Sequence, residues 1–162
     1  MENKIITIKN LRSVRKKHKK IGFCSGCFDL FHSGHAVFLN KAKSFCGTLV
    51  VGVGRDENIK KIKNRVVNPE ANRIYTVASM ESADYAILNE KTTLKGNIDF
   101  YNILKELKPD FLILNSDSGG IKEKKGLCKI LNIKLKIFKR DLPKGLNPAS
   151  TTEIIKRIKS AR

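Results

Sequence analysis

Residues 24–35 read Cys24-Ser25-Gly26-Cys27-Phe28-Asp29-Leu30-Phe31-His32-Ser33-Gly34-His35. These are residue types that handle phosphate. His32 and His35 converge on what reads as the start of a helix, and imidazoles can stabilise charge building on a phosphorus in flight. Gly26 and Gly34 let the backbone approach a phosphate with no Cβ in the way. A helix opening near Gly34 or His35 would turn free N–H groups and its positive dipole end toward the same ligand. Asp29 is expected to cap and orient the turn, not to act as a base.

The same stretch admits a metal reading. Cys24 and Cys27 form a CxxC pair, and with His32 and His35 they make four ligands at zinc-like spacing. Ile21–Cys24 reads as a buried strand, however, which sends Cys24 into the core, and there is no second CxxC. No metal site, zinc or otherwise, is expected among these residues. Cys24, Cys27, Cys46 and Cys128 are expected to be reduced thiols.

The elements that must position these groups alternate along the chain. Ile21–Cys24, Leu49–Val53, Tyr85–Leu88, Phe111–Leu114 and Leu135–Phe138 are short, apolar and rich in strand-forming residues. Helical patterns lie between them. Residues 35–45 align Leu39, Ala42 and Phe45. Asn68-Pro69-Glu70 reads as a capping Asn followed by Pro at the first helical position. Phe100, Ile103, Leu104 and Leu107 mark a helix stopped before Pro109, and Ile130 and Leu131 close another. Ser150-Thr151-Thr152-Glu153 is a capping-box pattern that would carry Ile154, Ile155 and Ile158 inward. Residues 1–20 form a basic leader expected to be a helix packed on the domain, and residues 21–162 a single domain. This alternation predicts an α/β, Rossmann-like parallel five-stranded sheet with helices on both faces. Ligands of such sheets bind beyond the carboxyl ends of the strands, which is where Gly26–His35 falls.

The charge needs an explanation: 33 Lys and Arg against 15 Asp and Glu give +18. Nucleic acid, a small polyanionic substrate, or a plain lysine coat would each account for it. The lysines are spread out, with one dense run at Arg15–Lys20, and aromatics are only 7% with no stacking platform. Nucleic acid is therefore not the expected partner. No apolar run is long enough for a membrane span and no signal-peptide core is visible, so a cytoplasmic protein is expected.

Gly26-Cys27-Phe28-Asp29…His32-Ser33-Gly34-His35 resembles the GxFDxxHxGH signature of the cytidylyltransferase-like nucleotidyltransferases, and Ser150-Thr151-Thr152 resembles their S/T-rich start to the last helix. Within that family the chain is most similar to the adenylyltransferase domain of ADP-heptose synthases. The basic leader, the GCFD variant at Cys27, Lys63…Arg65 with Asn68-Pro69…Arg73, Lys108-Pro109-Asp110 with Asp117, and the closing STTxII at Ser150–Ile155 carry this likeness. It implies transfer of NMP, with AMP favoured, from an NTP (ATP or CTP) to a phosphorylated acceptor, a sugar phosphate such as heptose 1-phosphate, releasing pyrophosphate. Mg²⁺ would arrive mainly with the NTP, and the family often forms homodimers. His32 and His35 would be catalytic. Gly26, Cys27, Phe28, Asp29, Gly34, Ser150, Thr151 and Thr152 would bind nucleotide phosphates. Lys63, Arg65, Arg73 and Asp117 are candidates for acceptor or phosphate contacts, Arg73 being equally readable as a solvated helix face.

The chain also departs from the pattern. Val37 stands where glycerol-phosphate and choline-phosphate cytidylyltransferases carry a lysine. Asn115-Ser116-Asp117-Ser118 lacks the aromatic of the heptose enzymes. Cys46-Gly47 replaces a Gly-Asp pair, and residues 139–148 lengthen the approach to Ser150. The alternatives left open are a glycerol-3-phosphate cytidylyltransferase, an FAD-synthase-like enzyme and, in another class, a non-catalytic basic RNA-binding module.

Overall fold

A computed structural model describes residues 4–147 and 150–161. Strands β1 (Ile5–Ile6), β2 (Ile21–Gly26), β3 (Thr48–Val53), β4 (Tyr85–Leu88), β5 (Phe111–Asn115) and β6 (Lys134–Phe138) form one sheet in the order β1-β4-β3-β2-β5-β6. Every pairing is parallel. Helices α1 (Leu11–Lys17), α2 (Ser33–Phe45), α3 (Asp56–Lys63), α4 (Glu70–Ala78), α5 (Tyr101–Leu107), α6 (Ile121–Ile130) and α7 (Thr151–Ser160) make the connections.

The sheet has six strands where the pattern predicts five. Ile5 and Ile6 pair with Ala86 and Ile87 at the edge. Two residues are too few to show a strand period, so polar flanks hide them. The leader is thus strand and helix together. Its helix starts at Leu11 and buries Leu11 and Val14, while Ile8 is left exposed. Arg12 bonds Glu106 and Arg15 bonds Asp110, fastening α1 beside α5.

Strand alternation divides the apolar residues between two cores. Phe23, Val50 and Leu112 face one side with Leu11, Leu104 and Leu127. Cys24, Val51 and Ile113 face the other with Leu39, Ala42, Ile74 and Val77. Cys24 lies in this second core, and burial raises its thiol pKa.

Three helices differ from the reading. In α4 the helix starts at Glu70, one residue late: Pro69 has an extended ψ of 149° and is itself the N-cap, its carbonyl accepting from the amides of Asn72 and Arg73. α3 has eight residues of which only Ile59 and Ile62 are apolar, too few for a pattern to announce a helix that nevertheless buries Ile59 and Asn58. Ser150 does cap α7, accepting from the Glu153 amide at 3.1 Å. Beyond the first turns α7 leaves the body, so Ile154 and Ile155 are half-buried and Ile158 is exposed.

The chain builds outward from β2 through β3 and β4, then returns to lay β5 and β6 on its other side. The topological switch point therefore lies between β2 and β5, and their carboxyl ends open a crevice there. Gly52 on β3 marks how closely that end is packed. A Cβ on it would sit 2.3 Å from Asn89 Oδ1 and 2.8 Å from Phe23 Cζ. Gly52→Ala should cost about 1–3 kcal/mol through overpacking. That corresponds to a melting point lower by roughly 3–10 °C, read by thermal unfolding. An unchanged melting point would mean the Asn89 side chain moves aside freely.

Candidate functional site

β2 ends at Gly26, and the next residues make a turn with an unusual backbone. Phe28 adopts φ 51°, a left-handed conformation that costs a bulky residue about 1–2 kcal/mol. Its buried ring stands over Gly26, where a Cβ would meet Cζ at 2.9 Å. Gly26 is glycine in order to admit this ring, a constraint that phosphate approach alone does not predict.

Two buried polar residues hold the strained turn. Asp29 Oδ1 accepts from the amides of Val67 and Asn68 at 2.9 and 3.0 Å. Arg73 donates to the carbonyls of Cys27 and Asn68 and to Asp56. Its side chain is fully enclosed. Arg73 is therefore neither a solvated face nor placed to touch a ligand. With three donors committed to the chain, it grips the turn from behind.

α2 opens directly after the turn. His32 is its N-cap, and Nδ1 accepts from the Gly34 amide at 3.1 Å. An accepting Nδ1 puts the proton of the neutral ring on Nε2, which leaves an N–H free to donate. His35 stacks on His32 with centroids 3.9 Å apart and lies against the rings of Phe28 and Phe31. Burial pushes the His35 pKa down to about 3, helped by the positive fields of His32, Arg140 and Lys63. His35 Nδ1 is buried with no hydrogen-bond partner among the described residues. The His32 pKa is also lowered, by burial first and then by Arg140.

The histidines line a cavity of about 190 Å³ with Gly26, Gly34, Asp117, Ser118 and Arg140. Arg140 and Asp117 form an ion pair at its wall. A second cavity of about 310 Å³ holds Cys27, Asn58, Lys63, Asn89, Asp99 and Lys124. Ser25, Gly26, Leu114 and Ser118 line both, so the two spaces meet at the ends of β2 and β5.

Lys63 reaches the second cavity, and two residues on, Arg65 donates to Thr152 Oγ1 at 3.3 Å. This contact ties the 63–65 segment to the start of α7. Arg65 Nη1 is buried and unpartnered among the described residues, and Thr151 is buried beside Ser150 and Thr152. The structure thus joins Lys63, Arg65, Asp117, both histidines and the α7 start in one region, and sets Arg73 behind it. Sequence reasoning missed Arg140, Asn58, Asn89, Asp99 and Lys124. Asn89 and Arg140 each follow the carboxyl end of a strand, the one signal that could have found them.

The depressed His35 pKa has a definite pH consequence. Between about 6.5 and about 3 the unfolded chain binds a proton that the folded chain refuses. The stability associated with neutral His35 is complete above about 6.5 and is lost as pH falls toward 3. Urea midpoints should drop from pH 7 to pH 4, and His35→Gln should flatten part of that slope. An identical slope in the variant would mean His35 is not its source.

A family profile described as cytidylyltransferase-like matches residues 23–157. The chain is 35% identical over 151 residues to the bifunctional protein HldE of Nitratiruptor sp., an alignment covering 92% of this chain and 30% of that protein. It is likewise 35% identical over 161 residues to HldE of Campylobacter fetus, covering 98% and 32%. The chain spans about a third of the length of these curated relatives. A lipopolysaccharide core biosynthesis protein from Thermoplasma volcanium superposes with TM-score 0.60 at 25% identity, over 74% of this chain and 94% of that one. The fold is shared with a pantoate-beta-alanine ligase from Francisella tularensis at TM-score 0.63 and 22% identity, over 96% of this chain and 76% of that one. No helix among the described residues is long and apolar enough to cross a membrane. With the HxGH turn at a sheet switch point and a profile match over most of its length, the chain belongs to the cytidylyltransferase-like family of nucleotidyltransferases.

Proposed function

We propose that this chain transfers a nucleoside monophosphate from an NTP, ATP ahead of CTP, to a phosphorylated sugar, with release of pyrophosphate. The observation that carries this is the meeting of two cavities at Gly26, one walled by the stacked histidines and the other by lysines and polar side chains. An acceptor phosphate oxygen in the second cavity would attack the α-phosphorus in the first. The bond from the α-phosphorus to the bridging oxygen breaks, and its electron pair leaves on pyrophosphate. Such a step asks for positioning and charge neutralisation more than covalent chemistry.

The residues divide this work. His32 Nε2–H donates to a phosphate oxygen. His35 meets the in-flight phosphoryl group from a pocket dry enough to strengthen each contact. Arg65 Nη1 and the free amides of the α7 start take the outer phosphates. The Arg140 guanidinium, braced by Asp117, adds positive charge beside the histidines. Mg²⁺ would supply charge neutralisation as the triphosphate's counter-ion. Among the described residues no group of three or more His, Cys, Asp or Glu side chains could hold it on its own.

A sugar acceptor is supported by the likeness to the HldE proteins and by the neighbour named for lipopolysaccharide core biosynthesis. The lysine that marks glycerol-phosphate and choline-phosphate enzymes is Val37 here.

Pyrophosphate release from ATP and CTP across hexose and heptose 1-phosphates, glycerol 3-phosphate and FMN tests the proposal. His35→Ala should lower kcat by about 10²–10³-fold with the fold intact by circular dichroism. Full rate in that variant, or no release with any pair, sinks the proposal. Arg65→Met should act chiefly on the KM for NTP, since it removes a phosphate contact shared by ground and transition states. A loss confined to kcat would place Arg65 at the reacting phosphorus instead.

A further inference from the structure

The second cavity contains a polar cluster that phosphate binding does not need. Asp99 is buried, and its carboxylate is held by amides. Oδ1 accepts from Asn89 Nδ2 at 2.8 Å and Oδ2 from Asn58 Nδ2 at 3.2 Å. Asn58 and Asn89 are each 2% exposed. Asn58 Nδ2 also donates to the Glu90 carbonyl, while its Oδ1 has no partner among the described residues. Asn89 Nδ2 also donates to Ser25 Oγ, linking the cluster to the end of β2.

Lys124 lines the same cavity. It is 8% exposed, and its ammonium donates to the Gly119 carbonyl at 2.6 Å. Asp99 acts on Lys124 through space, without an ion pair between them. A buried carboxylate and a buried ammonium facing one cavity without contact are costly unless something polar comes between them. The acceptors present are the remaining lone pairs of Asp99 and the Oδ1 atoms of Asn58 and Asn89, both unpartnered among the described residues. The donors are the remaining protons of Lys124 and the Lys63 ammonium, which lines the same cavity. Groups that both donate and accept fit such a lining, and hydroxyls are the simplest of them. A carboxylate or a second phosphate could pair with Lys63 or Lys124 but would leave the Asp99 and asparagine acceptors without donors.

We propose that Asn58, Asp99 and Lys124 are specificity-determining residues that read the hydroxyls of the acceptor and select a polyhydroxylated phosphate over a shorter one. The assignment deepens the transfer reaction proposed above. The acceptor's phosphate lies toward Gly26 and Ser118, where the cavities join, and its carbon chain extends toward Asn58 and Asp99. An acceptor too short to fill this space leaves buried polar groups unpaired, which is how a hydrogen-bonding site discriminates.

Two measurements test it. The first is kcat/KM with ATP for an aldohexose 1-phosphate, its deoxy analogues and glycerol 3-phosphate, in the wild type and in Asp99→Asn and Lys124→Met. The substitutions should raise the KM for the fully hydroxylated acceptor about 10- to 100-fold and leave kcat much closer to wild type. At least one deoxy analogue should lose no more than it already lost in the wild type. A uniform loss across all acceptors, or none, overturns the assignment. The second is an NMR titration of the side-chain amides of Asn58 and Asn89 with the aldohexose 1-phosphate, which needs no turnover. Shifts that Asp99→Asn abolishes support the site even if no acceptor is turned over, in which case only the transfer reaction fails. Turnover without such shifts overturns the hydroxyl-reading site and leaves the transfer reaction standing.

Discussion

The contact on which the site depends is that of the enclosed Arg73 guanidinium with the Cys27 carbonyl. A planar trans peptide fixes the Phe28 N–H opposite to that carbonyl, so the bond to Arg73 also sets which way the amide faces. The same arginine bonds Asn68 and Asp56, which brings α3, α4 and the strand-end turn to a single cation. Asp29 adds a second clamp from the turn to Val67 and Asn68. Between them the two clamps hold Phe28 in a backbone conformation it would not keep alone, and its ring supports both Gly26 and His35. Strain at this point is stored where the surroundings over-determine the geometry, as expected of a site that must be preorganised.

The electrostatics of the two histidines follow from that placement. Rings pressed against Phe28 and Phe31 lose hydration, and Arg140 and Lys63 add positive potential, so His35 is neutral across the physiological range. A neutral imidazole has one donor and one acceptor. His32 uses its acceptor to cap α2 and so has a defined donor to offer. On the proposed reaction, the positive charge for a polyanion comes instead from arginine and lysine side chains on three separate segments, at Lys63 and Arg65, at Lys124 and at Arg140. On that reaction the excess of cations over the whole chain would draw in two polyanions, while the local charge is set by these few side chains.

How much of this was legible in the sequence varied with the range of the signal. β2–β6, α2 and the Ser150 cap are announced by local patterns of apolar residues and capping types, and the structure has them. Ile5–Ile6 is too short to show a period, and α3 too polar. Ile158 sits at the correct helical spacing on a segment that runs past the core, a fact no local pattern contains. The His32–His35 motif was readable because it is local. Arg73 was visible as a residue but not in its role, since its partners Cys27 and Asp56 lie 46 and 17 positions away. Asn58, Asp99 and Lys124 come from three different segments of the chain. Each alone is an ordinary polar residue, and only the fold makes them neighbours.

That contrast follows from how the cavities are built. The one walled by the histidines takes about half of its lining from one strand-end turn and one helix start, which are close in sequence and share a backbone, and the rest from the end of β5 and from Arg140. The other is assembled from α3, the end of β4, the loop before α5 and the start of α6. A cavity of that kind can change its lining by substitutions that touch neither β2 nor α2. The four residues common to both cavities, Ser25, Gly26, Leu114 and Ser118, are small or apolar. They leave the join open and give it little chemistry of its own. If the transfer proposed above is centred at that join, its phosphate machinery can stay fixed while the remote wall varies, and on that proposal the features that define the reaction and those that choose its acceptor are physically separate in this fold.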